Sequence, residues 1–337
     1  MNTVATLTSS TDPLTLSSRL IRKPALRFSG ERVASALLRS ILRLSARVSS
    51  ITGHRGYGRF LNALSRIECF RDTHCTAILS EDSVFEFHAA DPYWGYYMYT
   101  GTVYEQSLHH AFTAISGLDY QVLDCGANYG YWSVLLSGLA YGKRNVIAVE
   151  ASADTFGVLE SNCALNGLRF MPLNGAVSGK SGRTLWLEAP THDQAHVCQG
   201  PLGEKTHRRE QVQSVSLDDL SAMLKPKPDL LVIKLDVEGH EIEVLKDAKC
   251  LSEKDVLIIF EDHGLDPSCR NSAYMLNREE FELFWIDDDG RSISVKNLSD
   301  VRCIKKPRNY GYNFFAVTRD GEFHRRLLAM ARLAVEA

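Results

Sequence analysis

The sequence has no apolar run near the roughly 20 residues needed to cross a bilayer, and its first residues lack a charged stretch leading into an apolar one. Both absences point away from secretion and from membrane spanning. No Cys-x-x-Cys pair occurs among the eight cysteines, Cys69, Cys75, Cys125, Cys163, Cys198, Cys250, Cys269 and Cys303. Scattered thiols, several inside apolar runs, fit a reduced cytoplasmic protein and disfavour a disulfide framework or a zinc site. Positive charge is not in excess: the net charge is -3, which argues against a nucleic-acid partner, because neutralising phosphates requires a basic surface. No internal repeat is visible. What is present is ordinary for a globular protein: 337 residues, 45% hydrophobic and 23% charged. That is enough for one large α/β core of roughly 200 residues with additions.

The average charge conceals an asymmetry. Residues 1–66 hold eleven Lys or Arg against two acids, Asp12 and Glu31, a surplus of nine. This Ser/Thr-rich basic arm also places Val33, Leu37, Ile41, Leu44 and Val48 at helical spacing. Three readings compete for it: a helix packed on the protein body, a helix lying on a membrane surface or partner, and a cleavable organelle transit segment. Residues 67–120 read as a lead-in and cover, with a strand at Ser83 to His88 and a helix at Val103 to Ile115. Between these lie Tyr93, Trp94, Tyr96, Tyr97 and Tyr99, an aromatic density that suits a packed cover better than a ligand cage.

From Gln121 apolar runs alternate with helical stretches, the pattern of βαβ units around a parallel sheet. Strands are expected at Gln121 to Cys125, Asn145 to Glu150, Met171 to Val177, Leu230 to Asp236 and Val256 to Glu261, with helices after Asn128, Asp154 and Glu241. Gly179 to Gln213 reads as an inserted hairpin and loop. Phe284 to Ile286 and Phe314 to Val317, with Asp287 to Gly290 between them, suggest a terminal antiparallel pair. The core therefore spans 121–320, and 321–337 form a C-terminal helix.

Chemistry concentrates at strand ends. Val122-Leu123-Asp124-Cys125-Gly126-Ala127-Asn128-Tyr129-Gly130 is an apolar strand ending in an acid and a glycine turn before a helix. Gly126 and Gly130 let backbone approach a ligand, and the helix start offers unpaired N–H groups. The Gly-x-Gly-x-x-Gly dinucleotide fingerprint fails at Ala127 and Asn128, which disfavours a nicotinamide-dependent oxidoreductase. An acid at the strand end suits a cationic, amine-bearing ligand. One βα unit later Glu150 ends the next strand, where a carboxylate can accept both hydroxyls of a ribose. The plainer alternative makes Asp124 and Glu150 strand-end helix caps.

Leu231 to Glu241 then sets Asp236 and Glu238 just past a central strand, the edge where open α/β sheets bind ligands. Lys234 shares a face with Asp236, so a buried structural ion pair competes with a functional one. The next strand ends in Glu261-Asp262-His263. Two other groupings carry less. Asp91-Pro92-Tyr93-Trp94 is similar to the Asp-Pro-Pro-Tyr motif of nucleic-acid amino-methyltransferases but has one proline. His192 and His196 have a spacing some metal sites use, without a third ligand, so no metal site is assigned.

Taken in order, the Asp124 to Gly130 turn, Glu150, Asn162 and Asn166, Val215 to Leu220, the Lys234-x-Asp236-x-Glu238-Gly239 core, Glu261 and Asn313-Phe314-Phe315-Ala316 resemble the FkbM family of methyltransferases. The resemblance spans about Gln121 to Thr318. It implies a Rossmann-like class I methyltransferase fold: an α/β, seven-stranded, mostly parallel sheet with helices on both faces and the last strand inserted antiparallel. It implies S-adenosyl-L-methionine as cofactor and O-methylation of a sugar, glycan or polyketide hydroxyl. By it, Asp124, Gly126 and Asn128 face the methionine part, Glu150 the ribose, and Ala176, Val177 and Ser178 the adenine, and Ala127, Gly130 and Asp236 also belong to the cofactor site. A hydroxyl acceptor needs alignment and somewhere for its proton to go. The candidates for base are Asp236, Glu238, His240, Glu261 and His263, with Asp236 and His263 first. An alternative has Asp236 and Glu261 ligate a divalent cation that acidifies the hydroxyl. A non-catalytic protein that keeps the nucleoside pocket, or that binds a partner, is the remaining rival.

Overall fold

The computed structural model describes residues 24–333 except 30–31, 52, 68–69, 71–72, 189–195, 199–208, 238 and 307–309. Glu238 and His192 thus lie outside the described residues, as does the side chain of His196.

The lead-in comprises β1 (Ala25–Ser29), α1 (Arg32–Ser50), α2 (Tyr57–Ser65), β2 (His74–Ile78), β3 (Val84–His88), α3 (Trp94–Thr100) and α4 (Gln106–Ala114). Its strands form a small antiparallel sheet in the order β1-β2-β3. The core follows with β4 (Tyr120–Cys125), α5 (Tyr131–Leu136), β5 (Val146–Glu150), α6 (Ala153–Leu165), β6 (Met171–Asn174), β7 (Ala176–Val177), β8 (Thr184–Glu188), β9 (His196–Cys198) and β10 (Arg209–Val215). It continues with α7 (Leu217–Met223), β11 (Leu230–Leu235), α8 (Glu241–Lys246), α9 (Cys250–Glu253), β12 (Asp255–His263) and α10 (Arg270–Leu276). The chain closes with β13 (Phe281–Ile286), β14 (Ser292–Val295), α11 (Leu298–Ile304), β15 (Gly311–Thr318) and α12 (Glu322–Leu333).

The main sheet has the order β14-β13-β15-β12-β11-β4-β5-β6. The five strands from β6 to β12 run parallel. Strand β15 is inserted antiparallel between β12 and β13. This is the expected Rossmann-like class I arrangement. It has eight strands rather than seven, because Asp287 to Gly290 turns the chain into β14, which pairs with β13 at the edge. The expected pairing of Phe284 with the Phe314 segment exists, Phe284 lying opposite Phe315, but β14 and α11 intervene.

Why the strands read as continuous apolar runs is plain from their packing. Along β4, Tyr120 and Val122 belong to one buried cluster, whereas Leu123 and Cys125 belong to another on the opposite face; β5 and β12 alternate likewise. A strand covered on both faces has no side left for polar residues. One face is covered by α5, α6, α12 and the lead-in, and the other by α7, α8, α10 and α11. Leu38, Leu61 and Phe85 share a cluster with Val122, so one core runs across the expected boundary at residue 66.

Two expectations change. The strand foreseen from Met171 to Val177 breaks at Gly175, whose N–H donates to the Glu150 carbonyl. Beyond it β7 leaves β5 to join β10 in a second sheet, β7-β10-β8-β9, built from the expected insertion. In α1 only Ile41 of the helical stripe singled out in sequence is seen to pack on the body. Leu38 and Leu42 are the fully buried residues, whereas Leu37, Leu44 and Val48 are 54%, 66% and 56% exposed. Among the described residues no helix is long and apolar enough to cross a membrane.

Several motif residues prove to be joints of the fold. Asn162 on α6 and Asn166 just past its end each pair with a residue of the edge strand β3, accepting from its N–H and donating to its carbonyl: Asn162 at Glu86 (2.6 and 2.9 Å) and Asn166 at Val84 (2.9 and 2.6 Å). Ser216 caps α7. Asp218 accepts from the N–H groups of Lys249 and Cys250.

Candidate functional site

The parallel strands end together on one side, and their ends build a cleft. At the end of β4 the N–H groups of Gly126 and Ala127 both donate to the Val149 carbonyl at 2.9 Å, which binds the turn to β5. Gly126 has φ +80°, and a Cβ there would stand 1.9 Å from the Asp236 carbonyl oxygen. Only glycine allows the ends of β4 and β11 to approach so closely. Gly130, with φ +87°, starts α5, and a Cβ on it would meet Leu159 at 2.5 Å. It shapes the turn without lining the cleft.

The space of the cleft, counted out into its open mouth, is about 870 Å³. Asp124, Gly126, Ala127, Asn128 and Glu150 form its floor and one side; Ala176, Val177 and Leu187 lie toward the insertion, and Lys234 and Asp236 toward β11. Glu150 is 6% exposed, and its two oxygens accept from the N–H groups of Asn128 and Ser152, each at 2.9 Å. Asp124 is 1% exposed; one oxygen accepts from the Ser133 hydroxyl at 2.6 Å, and the other, Oδ1, has no hydrogen-bond partner.

The charges here are tightly packed. Lys234 lies beside Asp124 in register on the adjacent strand, is 5% exposed, and meets Asp236 at 3.2 Å. Burial alone would lower its pKa, but Asp236, Glu105 and Asp124 outweigh that and hold the ammonium above its ordinary value. Burial pushes the Asp124 carboxyl up, against the pull of Lys234 and Ser133. Glu105 is likewise pushed up by burial. Its carboxylate accepts from the Trp132 indole N–H and from Asn313 Nδ2, the latter at 3.0 Å.

Sequence reasoning missed Glu105. It stands ahead of α4 in the lead-in, in the left-handed region at φ 44°, where no strand-end signal marks it. The signal that could have found it is its neighbour Tyr104 in an aromatic-rich stretch. The aromatic cluster itself does two jobs. Tyr99 is a buried cover residue, whereas Tyr93, Trp94, Tyr104, Tyr131 and Trp132 line the cleft. Trp94 stacks on Tyr131 with ring centroids 5.5 Å apart and donates to Asn128 Oδ1 at 3.0 Å. Asp91 accepts from the N–H groups of Tyr93 and Trp94 at 2.9 and 2.8 Å, so the Asp91-Pro92-Tyr93-Trp94 stretch is a helix start.

The remaining candidates sit elsewhere. His240 precedes α8, with its Nδ1 buried and unpartnered. The Glu261 carboxyl fills the space over Gly311 on β15, where a Cβ would come within 2.3 Å. His263 is exposed and accepts from the Leu265 N–H at 3.1 Å. None of the three lines the cleft. Asp262 caps α10 through the Ser272 N–H.

Residues 124–282 match the methyltransferase FkbM domain family. The chain is 32% identical over 146 residues to the hexuronic acid methyltransferase AglP of Haloferax volcanii; the match covers 43% of this chain and 56% of AglP. The chain thus spans about half the length of that curated relative. A methyltransferase FkbM from Methylobacillus flagellatus KT aligns with 64% of this chain and 55% of its own at 15% identity and a TM-score of 0.35. An O-methyltransferase from Bacillus cereus in complex with SAH aligns with 64% of this chain and 80% of its own at 13% identity and a TM-score of 0.35. Residues 124–282, which carry most of the cleft floor, therefore belong to the methyltransferase FkbM domain family.

Proposed function

We propose that this chain is an S-adenosylmethionine-dependent O-methyltransferase acting on a hydroxyl of a sugar or glycan, with sugar acids foremost. The observation that carries the reading is the pair of buried carboxylates ending adjacent parallel strands in one cleft, Asp124 with an Oδ1 that has no hydrogen-bond partner and Glu150 oriented by the N–H groups of Asn128 and Ser152. An unpartnered buried carboxylate oxygen suits an ammonium or sulfonium, because an opposite charge replaces the solvation that burial removed. Glu150 would accept the ribose hydroxyls, and Ala176 and Val177 would flank the adenine. The bound cofactor supplies a methyl group on a positively charged sulfur.

The chain's own residues have two tasks, alignment and proton removal. The aromatic wall of Tyr93, Trp94 and Tyr104 excludes water on the lead-in side and gives a sugar ring flat faces to rest on. Among the described residues Asp236 is the base candidate that lines the cleft; Lys234 beside it holds the carboxylate in place, and that carboxylate would take the hydroxyl proton. The domain family and the hexuronic acid activity in the name of AglP support a sugar-acid acceptor for this chain.

The test is calorimetry with the adenosyl donor and its demethylated homocysteine product, followed by turnover with labelled donor and uronic-acid glycans. Glu150→Ala should weaken binding by about 2 kcal/mol, roughly 30-fold, because charge-assisted hydrogen bonds are lost. No heat from the wild-type chain, or unchanged affinity in a folded variant, overturns the cofactor assignment. Binding without turnover on any hydroxyl acceptor favours the non-catalytic rival.

A further inference from the structure

The first helix is three-sided. Counting 100° per residue, Leu38 and Leu42 form a buried side, with the Leu42 carbonyl 3.4 Å from the Tyr57 hydroxyl. Arg39, Arg43 and Arg47 form a second side; Arg43 and Arg47 are exposed, and the Arg39 guanidinium sits 5.7 Å over the Phe28 ring. The third side holds Leu37, Leu44, Val48 and, just past the helix, Ile51, at 54%, 66%, 56% and 85% exposure. Continuing the helical rotation to Ile51, these four fall within an arc of about 60°.

Single exposed apolar residues need no explanation, but an aligned set beside a row of one charge does. Arg32 to Arg66 contains seven arginines and no acid. Exposed Phe60 and Ile67 alternate with exposed Arg59 and Arg66 in and after α2. A protein partner would find no carboxylate anywhere from Arg32 to Arg66 to fix register. A lipid surface asks for no register. Its phosphates suit guanidinium forks, and its acyl boundary takes up an apolar stripe.

We propose that α1 is an interfacial helix that docks the protein on anionic phospholipid, with Leu37, Leu44, Val48 and Ile51 in the acyl boundary and Arg43 and Arg47 on headgroup phosphates. Because α1 packs on α3, which carries Trp94 of the cleft wall, docking sets the cleft close to the lipid surface. The inference is independent of the transfer reaction.

Cosedimentation of the full chain with phosphatidylcholine vesicles, with and without phosphatidylglycerol, tests it. The wild-type chain should bind the phosphatidylglycerol vesicles, and binding should weaken with added salt. L44Q with V48Q should lower binding at least about tenfold, and R43Q and R47Q about fivefold each, with thermal midpoints unchanged. Absence of vesicle binding, or binding indifferent to L44Q with V48Q, overturns the proposal. So does a fall in the thermal midpoint of L44Q with V48Q without lipid, which would mean that residues 1–23 or other chain segments cover the stripe. A concentration-dependent dimer abolished by the same pair would also overturn it, in favour of a second copy.

Discussion

Replacing Lys234 with Met removes the one ammonium among three carboxylates while nearly preserving side-chain length and bulk. In the native cleft Lys234 is 5% exposed and 3.2 Å from Asp236, and it interacts with Asp124 and Glu105. Breaking a buried pair by removing one partner costs about 3–5 kcal/mol, because the other charge remains desolvated. The Asp236 side chain keeps 33% exposure, so water relieves part of the loss, and we expect the lower end, about 3 kcal/mol. For a chain of 337 residues that corresponds to a thermal midpoint about 4 °C lower by differential scanning calorimetry.

The pH dependence supplies a second handle on the same substitution. Asp124 and Glu105 have folded pKa values already raised by burial, and without the ammonium they rise further. A raised carboxylate binds more protons folded than unfolded, so its penalty shrinks as pH falls toward the folded value. The deficit of Lys234→Met should therefore be larger near neutrality than in mild acid, and adding Asp236→Asn should recover about 1 kcal/mol or more. A Lys234→Met protein that melts with the wild type at neutral pH would show that the ammonium is not what compensates these carboxylates, and the electrostatic account of the cleft would fall.

Two further outcomes are expected. Gly126→Ala combines left-handed strain of about 1–2 kcal/mol with a backbone overlap at Asp236 of about 1–3 kcal/mol; melting temperature and donor affinity should drop together, and a variant that matches wild type in both contradicts the close strand crossing. His109, held between the Tyr141 and Tyr131 hydroxyls at 2.7 and 3.4 Å, has its pKa lowered by burial, and further by His110, from 6.5 to about 3. The unfolded chain takes up that proton first, so stability falls as pH drops below 6.5, by about 2 kcal/mol near pH 5. Urea titrations at the two pH values should show that loss in the wild type and less of it in His109→Gln; equal losses would mean that the histidine is not buried neutral.

Much of the frame was legible because physics wrote it into local sequence. Strands covered on both faces have to be continuous apolar runs, and the close approach of two strand ends has to be glycine, so β4, β5, β11, β12 and Gly126 announce themselves. Asp124, Ala127, Asn128, Glu150, Ala176, Val177 and Asp236 fall on one cleft because each stands at or just beyond a strand end. What the pattern could not carry is anything decided between distant segments. The break at Gly175 depends on which strand offers β7 a partner. Glu105 comes within electrostatic reach of Lys234 only because the lead-in folds over the sheet. In α1, periodicity reveals a stripe but not whether Leu37 or Leu38 faces the body, since a rotation of 100° exchanges them. Asn162 and Asn166 read as family signature residues, yet their amides are engaged with backbone rather than with the cleft.

Those two asparagines also decide what the small sheet can do. A terminal strand normally displays a ladder of donors and acceptors that any extended peptide can zip onto. Here carboxamides imitate that newcomer at two alternate rungs, Val84 and Glu86, so this flank of the molecule is closed to strand capture, and the cover cannot lift from α6 without stripping four polar contacts at once.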